Sequence, residues 1–364
     1  MAAPLSIVDL DLVLTQTREL WSEMRGQRIF LTGGTGFFGC WLVESFLYAN
    51  RVEKLGAQAT ILTRNPAAFA QKCPHLAADP AITLLTGDVR DFTLPPDLTN
   101  REFRYVVHAA TEVSSTQTAG QPMEMLKTIQ RGTERILQFA ATHGTQKFLL
   151  TSSGAVYGSQ PASITHISEE YTGTPNPSDL LTPGTAYAEG KRAAELLCSR
   201  YAQTGGMECK IARCFAFVGP HLPLDGHFAI ANFIRDAMRR DVIHVHGDGT
   251  SRRSYMYAAD LAIWLWTMLF RAPSKEAFNV GSEQATSILE LAHTVAASLG
   301  SKASVQVAQK SAQDAPVQQY VPSTRKAEQE LGLQCHVSLE DAIRRTAARH
   351  GEPLNTSAAD RRRA

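Results

Sequence analysis

Arg28-Ile29-Phe30-Leu31-Thr32 runs directly into Gly33-Gly34-Thr35-Gly36-Phe37-Phe38-Gly39 and then into the apolar stretch from Trp41 to Ala49. A short β-branched and apolar run, a glycine turn and a helix-period segment, in that order, predict strand, tight loop and helix. Gly33, Gly36 and Gly39 recur every third residue. This spacing differs from G-x-G-x-x-G but answers the same demands. One glycine makes the turn, a second lets backbone approach a pyrophosphate, and a third lets the helix pack close to the strand. The helix N-terminus, with Phe37 and Phe38 in its first turn, then offers unpaired N–H groups and a partial positive charge to phosphates.

Outward from this unit, short apolar runs alternate with longer helical patterns. The strands read from the sequence are Arg28 to Thr32, Ala59 to Thr63, Ile82 to Thr86, Tyr105 to Ala109, Phe148 to Ser152 and Cys209 to Phe215. Several lack polar alternation, as parallel strands buried on both faces do. Trp41 to Ala49, Met123 to Thr142 and Tyr187 to Gln203 supply the crossover helices. The expected fold is α/β, a doubly wound Rossmann sheet with a smaller, mixed α/β C-terminal substrate-binding domain. The expected boundaries are an N-terminal extension over 1–26, a dinucleotide-binding domain over 27–212, a mainly substrate-binding domain over 213–350 interleaved with the first, and a flexible tail over 351–364. The Pro-, Ser- and Thr-rich stretch from Ser159 to Thr185 reads as a long functional loop.

Composition narrows the partners. With 36 basic and 35 acidic residues the net charge is +1, so no overall field draws the chain to nucleic acid or an anionic membrane. The basic end, Arg361 to Arg363, reads as solvated. The run from Leu261 to Phe270 is too short for a membrane span. Cys40, Cys73, Cys198, Cys209, Cys214 and Cys335 form no C-x-x-C pair and accompany no secretory signal, which implies free thiols and a cytoplasmic address. His244-x-His246 lacks further ligands at metal spacing, so no metal is expected; His108 reads as structural.

The end of the second strand selects between dinucleotides. An acid there bonds a ribose 2′-hydroxyl, whereas a basic residue accommodates a 2′-phosphate. Arg64 occupies it, which favours NADP over NAD. Asp88, in Gly87-Asp88-Val89-Arg90-Asp91 after the third strand, is placed to accept from an adenine amino group.

Tyr187-Ala188-Glu189-Gly190-Lys191 sets a phenol and an ammonium one helical turn apart on one face. A cation beside a phenol lowers its pKa toward a value useful for proton transfer. The lysine can also hold the nicotinamide ribose. Ser152 and Ser153, in Thr151-Ser152-Ser153-Gly154-Ala155-Val156-Tyr157-Gly158, end the fifth strand at the carboxyl edge of the sheet, where ligands bind.

Together these motifs resemble the extended short-chain dehydrogenase/reductase family of nucleotide-sugar epimerases, dehydratases and decarboxylases. The resemblance runs from Arg28 to Leu333. It rests on the glycine turn, Gly87 to Asp91, Val106 to Ala110, Gly132-Thr133, Ser152 to Gly158, Tyr187 to Lys191 and Gly247 to Leu261. Pro122, Leu126-Lys127-Thr128, Arg192 and Arg253-Ser254-Tyr255 are most similar to the UDP-glucuronate decarboxylase branch. The resemblance implies that Ser153 bonds the reacting sugar oxygen, Tyr187 is the acid/base and Lys191 its activator. Arg253, after the Gly247-Asp248-Gly249 turn, would grip the nucleotide diphosphate, with Asn232 in the same pocket. Val89, Ala109 and Ala110 would line the cofactor. A homodimer built from the Met123–Thr142 and Tyr187–Gln203 helices is likewise implied.

The departures carry information. Where the family's dehydratases place Asp-Glu after the serine equivalent, and its decarboxylases keep the Glu, this chain has Gly154 and Ala155, which move no proton. Glu112, Glu169 and Glu170 are candidate loop carboxylates to substitute, and each reads better as a solvated surface acid. Ile129 stands where the family has Asn before Gly-Thr, and nothing in the sequence explains it. The expected activity is therefore hydride transfer at sugar C4, as a 4-keto reductase or a 4-epimerase. A 4,6-dehydratase or decarboxylase is the alternative, and a catalytically silent dinucleotide-binding sensor the third.

Overall fold

The computed structural model describes residues 2–110, 122–175, 182–204, 206–226, 228–239, 241–309 and 317–351. Its centre is a seven-stranded, wholly parallel sheet. Six strands follow the reading above: β1 (Arg28–Thr32), β2 (Gln58–Thr63), β3 (Ile82–Thr86), β4 (Tyr105–His108), β5 (Lys147–Ser153) and β6 (Glu208–Cys214). The seventh, Ala277–Val280, comes from the C-terminal half and pairs with β6. Across the sheet the order is Ala277–Val280, β6, β5, β4, β1, β2, β3. The chain winds one way from β1 to β3 and the other way from β4. That reversal leaves a crevice beyond the carboxyl ends of β1 and β4, where Thr32 lies opposite His108.

Burial on both faces explains the missing alternation. Ile29, Leu31, Tyr105, Val107 and Leu149 face one apolar cluster, while Phe30, Val106, Phe148 and Leu150 face the other. On the second face the Pro122–Thr142 and Pro183–Thr204 helices pack against each other. The latter begins where the Thr182 hydroxyl accepts from the Thr185 N–H at 3.2 Å, four residues before the helix read from the sequence.

The first residues join the core of the other face. Helix Ile7–Thr17 packs on Phe37–Val52 and on Ala258–Arg271, burying Leu10, Val13 and Leu14. Asp9 accepts from the Tyr257 hydroxyl at 2.9 Å and from Arg345 at 2.5 Å. The apolar run from Leu261 lies within the buried Ala258–Arg271 helix, and no described helix is long and apolar enough to cross a membrane. After β6 the elements shorten. A three-stranded piece of Thr286–Ser287, Arg252–Arg253 and Gln319–Tyr320 stands over the sheet's carboxyl edge. The basic terminus, Glu112 and part of the Ser159–Thr185 loop lie outside the described residues.

Candidate active site

The crevice is a cleft of about 660 Å³ lined by Gly33, Gly36, Arg64, Asp88, Val89, Ala109 and Ala110, among others. Two of the glycines are sterically required. Gly33 has φ 72°, and a Cβ there would sit 2.6 Å from the Ala109 carbonyl. At Gly39 a Cβ would lie 2.2 Å from the Gly33 oxygen, so the helix could not approach the turn. Gly36 faces the cleft, and its missing side chain leaves room for a ligand. These features fit a dinucleotide whose pyrophosphate sits on the helix start. The Phe37 and Phe38 rings pack toward the core, Phe38 against Phe217 at 5.0 Å, which leaves their backbone to the phosphates.

Thr32 ties the two strands together: its hydroxyl accepts from Ala110 N at 3.1 Å and meets His108 Nδ1 at 2.7 Å. The other nitrogen of His108 reaches the Thr133 hydroxyl at 3.2 Å, and burial lowers its pKa to about 3. Thr32, His108 and Thr133 thus form a neutral brace at the wall of the cleft. Asp88 is engaged by Arg90, at 2.7 Å and 3.0 Å, and this holds its carboxyl below the usual range. Lys72, whose Nζ donates to Thr35 O at 3.3 Å, is a basic lining group that no motif flags, and Arg90 lines the cleft from within the Gly87–Asp91 motif.

Beyond β5 the structure brings Ser153, Tyr187 and Lys191 together. The Ser153 hydroxyl accepts from Ala155 N at 3.2 Å, which fixes the serine at the head of a short 3₁₀ turn, Gly154–Tyr157. It lies close enough to the Tyr187 and Tyr320 phenols to oppose the rise that burial imposes on their pKa. Lys191 is buried, donates to Thr151 O at 2.6 Å, and lies 5.8 Å from the Tyr187 ring centre. Burial lowers its pKa to about 8.

Burial pushes the Tyr187 phenol up to about 12, opposed by the Ser153 hydroxyl. The Lys191 ammonium lies over the Tyr187 ring face and donates to the Thr151 carbonyl.

The departures now have physical content. A side chain at 154 would collide with the Phe215 ring, 2.7 Å from a Gly154 Cβ. Glu169 is spent on the Asn279 backbone N–H at 2.6 Å, and burial raises its pKa; Glu170 is exposed. Ile129 packs against Gly190, whose Cβ would meet it at 2.9 Å. Glu195 fastens the site from behind, accepting from Ser152 at 2.5 Å and from Arg213 at 3.0 Å and 2.7 Å.

Tyr320 was missed by the sequence reading, because no spacing links it to the serine 167 residues earlier. It pairs in register with Arg253, stacks on Phe215 at 4.7 Å, and burial holds its phenol well above the usual range. The Arg253 guanidinium lies 5.9 Å from the Tyr320 ring centre, so the structure sets it beside the Ser153 end of the site. Asn232, on the Ala229–Arg239 helix, accepts from Arg235 at 3.0 Å. His244 and His246 are exposed.

Fold and cleft together define a dinucleotide-dependent enzyme of Rossmann type, with Ser153, Tyr187 and Lys191 side by side at the carboxyl edge of the sheet. Residues 29–281 match the profile of the NAD dependent epimerase/dehydratase family. The chain belongs to this family. Among similar proteins, UDP-glucuronic acid decarboxylase 1 of Xenopus tropicalis is 30% identical over 89% of this chain and 72% of its own length. The Arabidopsis thaliana enzyme of the same name is 30% identical over 87% and 68%. A dTDP-glucose 4,6-dehydratase of Streptomyces venezuelae with NAD bound superposes with TM-score 0.72 at 25% identity, covering 89% of this chain and 97% of that one. A UDP-glucose 4-epimerase of Thermotoga maritima reaches 0.74 at 20% identity, covering 89% and 98%.

Proposed function

We propose that the enzyme moves a hydride at C4 of a nucleotide-linked sugar, as a 4-keto reductase or a 4-epimerase. One observation carries this reading: Ser153, Tyr187 and Lys191 converge, while Gly154 and Ala155 supply no second acid or base. Ser153 bonds the C4 oxygen and Tyr187 takes or returns its proton. Lys191 holds the nicotinamide ribose. Arg253 and Asn232 hold the nucleotide diphosphate. Bound NADP or NAD supplies the hydride acceptor or donor, and Arg64 favours NADP. The copy-to-copy contact we propose is a homodimer through Pro122–Thr142 and Pro183–Thr204, where Met123 and Leu196 are 51% and 72% exposed.

A second reading, UDP-glucuronate decarboxylation, is favoured by the relatives' activity. A 4-keto uronate loses carbon dioxide because its ketone accepts the freed electron pair. The proton then required at C5 has Tyr320 as its nearest new candidate in place of a carboxylate.

Mass spectrometry of nucleotides released from denatured protein, followed by assay with UDP-glucuronate and with UDP-hexoses, separates the readings. Retained dinucleotide with C4 interconversion identifies an epimerase. NADPH-dependent reduction of a 4-keto sugar identifies a reductase, and carbon dioxide release identifies a decarboxylase. Failure to bind either dinucleotide would end all three.

A further inference from the structure

Cys40, Cys73 and His221 are widely separated in sequence and belong to three segments. Cys40 is the fourth residue of the Phe37–Val52 helix, Cys73 joins the Pro66–Lys72 and Pro74–Ala77 helices, and His221 follows the Phe217–Val218 strand. In the fold all three are buried, and the two sulfurs and a His221 ring nitrogen lie within 4.8 Å of one another. The hydride chemistry uses none of them.

Core packing accounts for a buried thiol, since cysteine behaves as a small hydrophobe. It does not account for His221. This residue holds φ 71°, a left-handed backbone unusual for a non-glycine residue, and its side chain is only 1% exposed. Trp41 pins the preceding residue, donating to Pro220 O at 2.8 Å. His221 Nε2 is committed to Glu44 Oε1 at 2.8 Å, whereas Nδ1 has no hydrogen-bond partner among the described residues. A carboxylate that fixes one ring nitrogen and leaves the other lone pair open is how proteins orient a metal-binding imidazole.

We propose that Cys40, Cys73 and His221 bind a divalent, thiophilic metal ion, zinc foremost, with Glu44 orienting the imidazole. Two thiolates and a neutral imidazole neutralise a dication, and soft sulfur excludes magnesium and calcium. Binding breaks two S–H bonds, forms two sulfur–metal bonds and releases both protons to solvent. Tetrahedral zinc, with Zn–S of about 2.3 Å and Zn–N of about 2.0 Å, asks the three atoms only to draw together by small side-chain rotations. A fourth ligand is at hand in water or the Thr35 carbonyl, which Cys40 Sγ faces at 3.7 Å.

The site lies directly behind the glycine turn. Thr35, whose carbonyl also accepts from Lys72, belongs to that turn, and each ligand arrives on a different segment bordering it. The ion is thus a structural clamp behind the dinucleotide cleft. It takes no part in the sugar chemistry, so its test stands apart from the proposed activity.

The test is metal analysis of full-length protein purified under reducing conditions, together with cobalt titration of protein stripped by a chelator. We expect one zinc per chain to survive dialysis, and cobalt to give intense thiolate-to-metal charge-transfer absorption. Cys73→Ser and His221→Ala lose both signals, while Cys335→Ser, remote from the cluster, keeps them. Glu44→Gln lowers affinity by roughly 10–100-fold in competition with a chromophoric chelator. If the substituted chains fail to fold, the cobalt titration of the unaltered protein decides. Reduced, folded protein that takes up neither ion overturns the proposal, as does a Cys40–Cys73 disulfide whose reduction restores no metal binding.

Discussion

The two ends of the crevice are built by different means. At the β1–β4 end, contacts are made by backbone: Gly33 packs on the Ala109 carbonyl, Gly39 on the Gly33 oxygen, and Thr32 joins the two strands. Gly39 and Gly33 are close in sequence, Gly33 and Ala109 are brought together by the pairing of β1 with β4, and only glycine tolerates either approach. At the β5 end, the site is made by side chains from remote segments. Ser153, Tyr187, Phe215, Arg253 and Tyr320 meet through tertiary packing alone. The first end is where we propose the dinucleotide binds, and the second is where we propose the sugar binds.

The largest test of this contrast is Tyr187→Phe. It removes the acid/base while keeping the ring, so kcat should fall by about 10²–10⁴-fold. Dinucleotide affinity and melting temperature should stay near those of the unaltered protein. Loss of cofactor binding as well would show that the two ends are not separable.

Gly33→Ala should do the reverse. The positive φ and the 2.6 Å approach to Ala109 leave no relaxed position for a methyl group. A destabilisation of about 1–3 kcal/mol by urea unfolding, with dinucleotide binding weakened alongside, is expected. Unchanged binding in calorimetry would mean that the turn adapts more readily than its geometry implies.

Lys191 tests what the catalytic end costs the fold. Its pKa falls from 10.5 unfolded to about 8 folded, because burial disfavours the charged form. Between those values the unfolded chain holds a proton that the folded chain has released, so this group makes stability rise with pH. Below about pH 8 the full burial cost is present. Relative to Lys191→Met, which does not titrate, the unaltered enzyme should gain stability as pH climbs through that window, as followed by urea midpoints. A flat difference would mean that the ammonium is better solvated than the site suggests.

How much of this was legible follows from the same contrast. Six strands and the three crossover helices were read correctly because buried parallel strands and amphipathic helices write their periods locally. The seventh strand, Ala277–Val280, was missed because it is only four residues long, is interrupted by Asn279 and joins the sheet far from its neighbours in sequence. The glycine turn and the Tyr187–Lys191 pair were legible by spacing. Tyr320 and the Phe215 ring that forbids a side chain at 154 were not, since each acts through a contact that crosses elements. Spacing set the Lys191 ammonium over the Tyr187 ring at 5.8 Å, but not its bond to the Thr151 carbonyl, which crosses from helix to strand.

Tyr320→Phe probes the illegible end on a smaller scale. Removing one hydroxyl beside Ser153 leaves the stack on Phe215 intact, so the fold should be unchanged. If Tyr320 only orders the serine, kcat should fall by roughly tenfold, the worth of one hydrogen bond of about 1.4 kcal/mol. If it delivers a proton at C5, carbon dioxide release from a uronate would fall far more than any C4 exchange.

Arg64→Ser is the smallest test. Arg64 is exposed at the end of β2, so its contact with a 2′-phosphate competes with water and salt. About 1 kcal/mol, or roughly fivefold weaker NADP binding with NAD unaffected, is the expected loss. The effect should shrink further at high ionic strength. Equal weakening of both dinucleotides would place the guanidinium on the adenine or the ribose instead, and the choice of cofactor would then lie with Asp88 and Arg90 across the cleft.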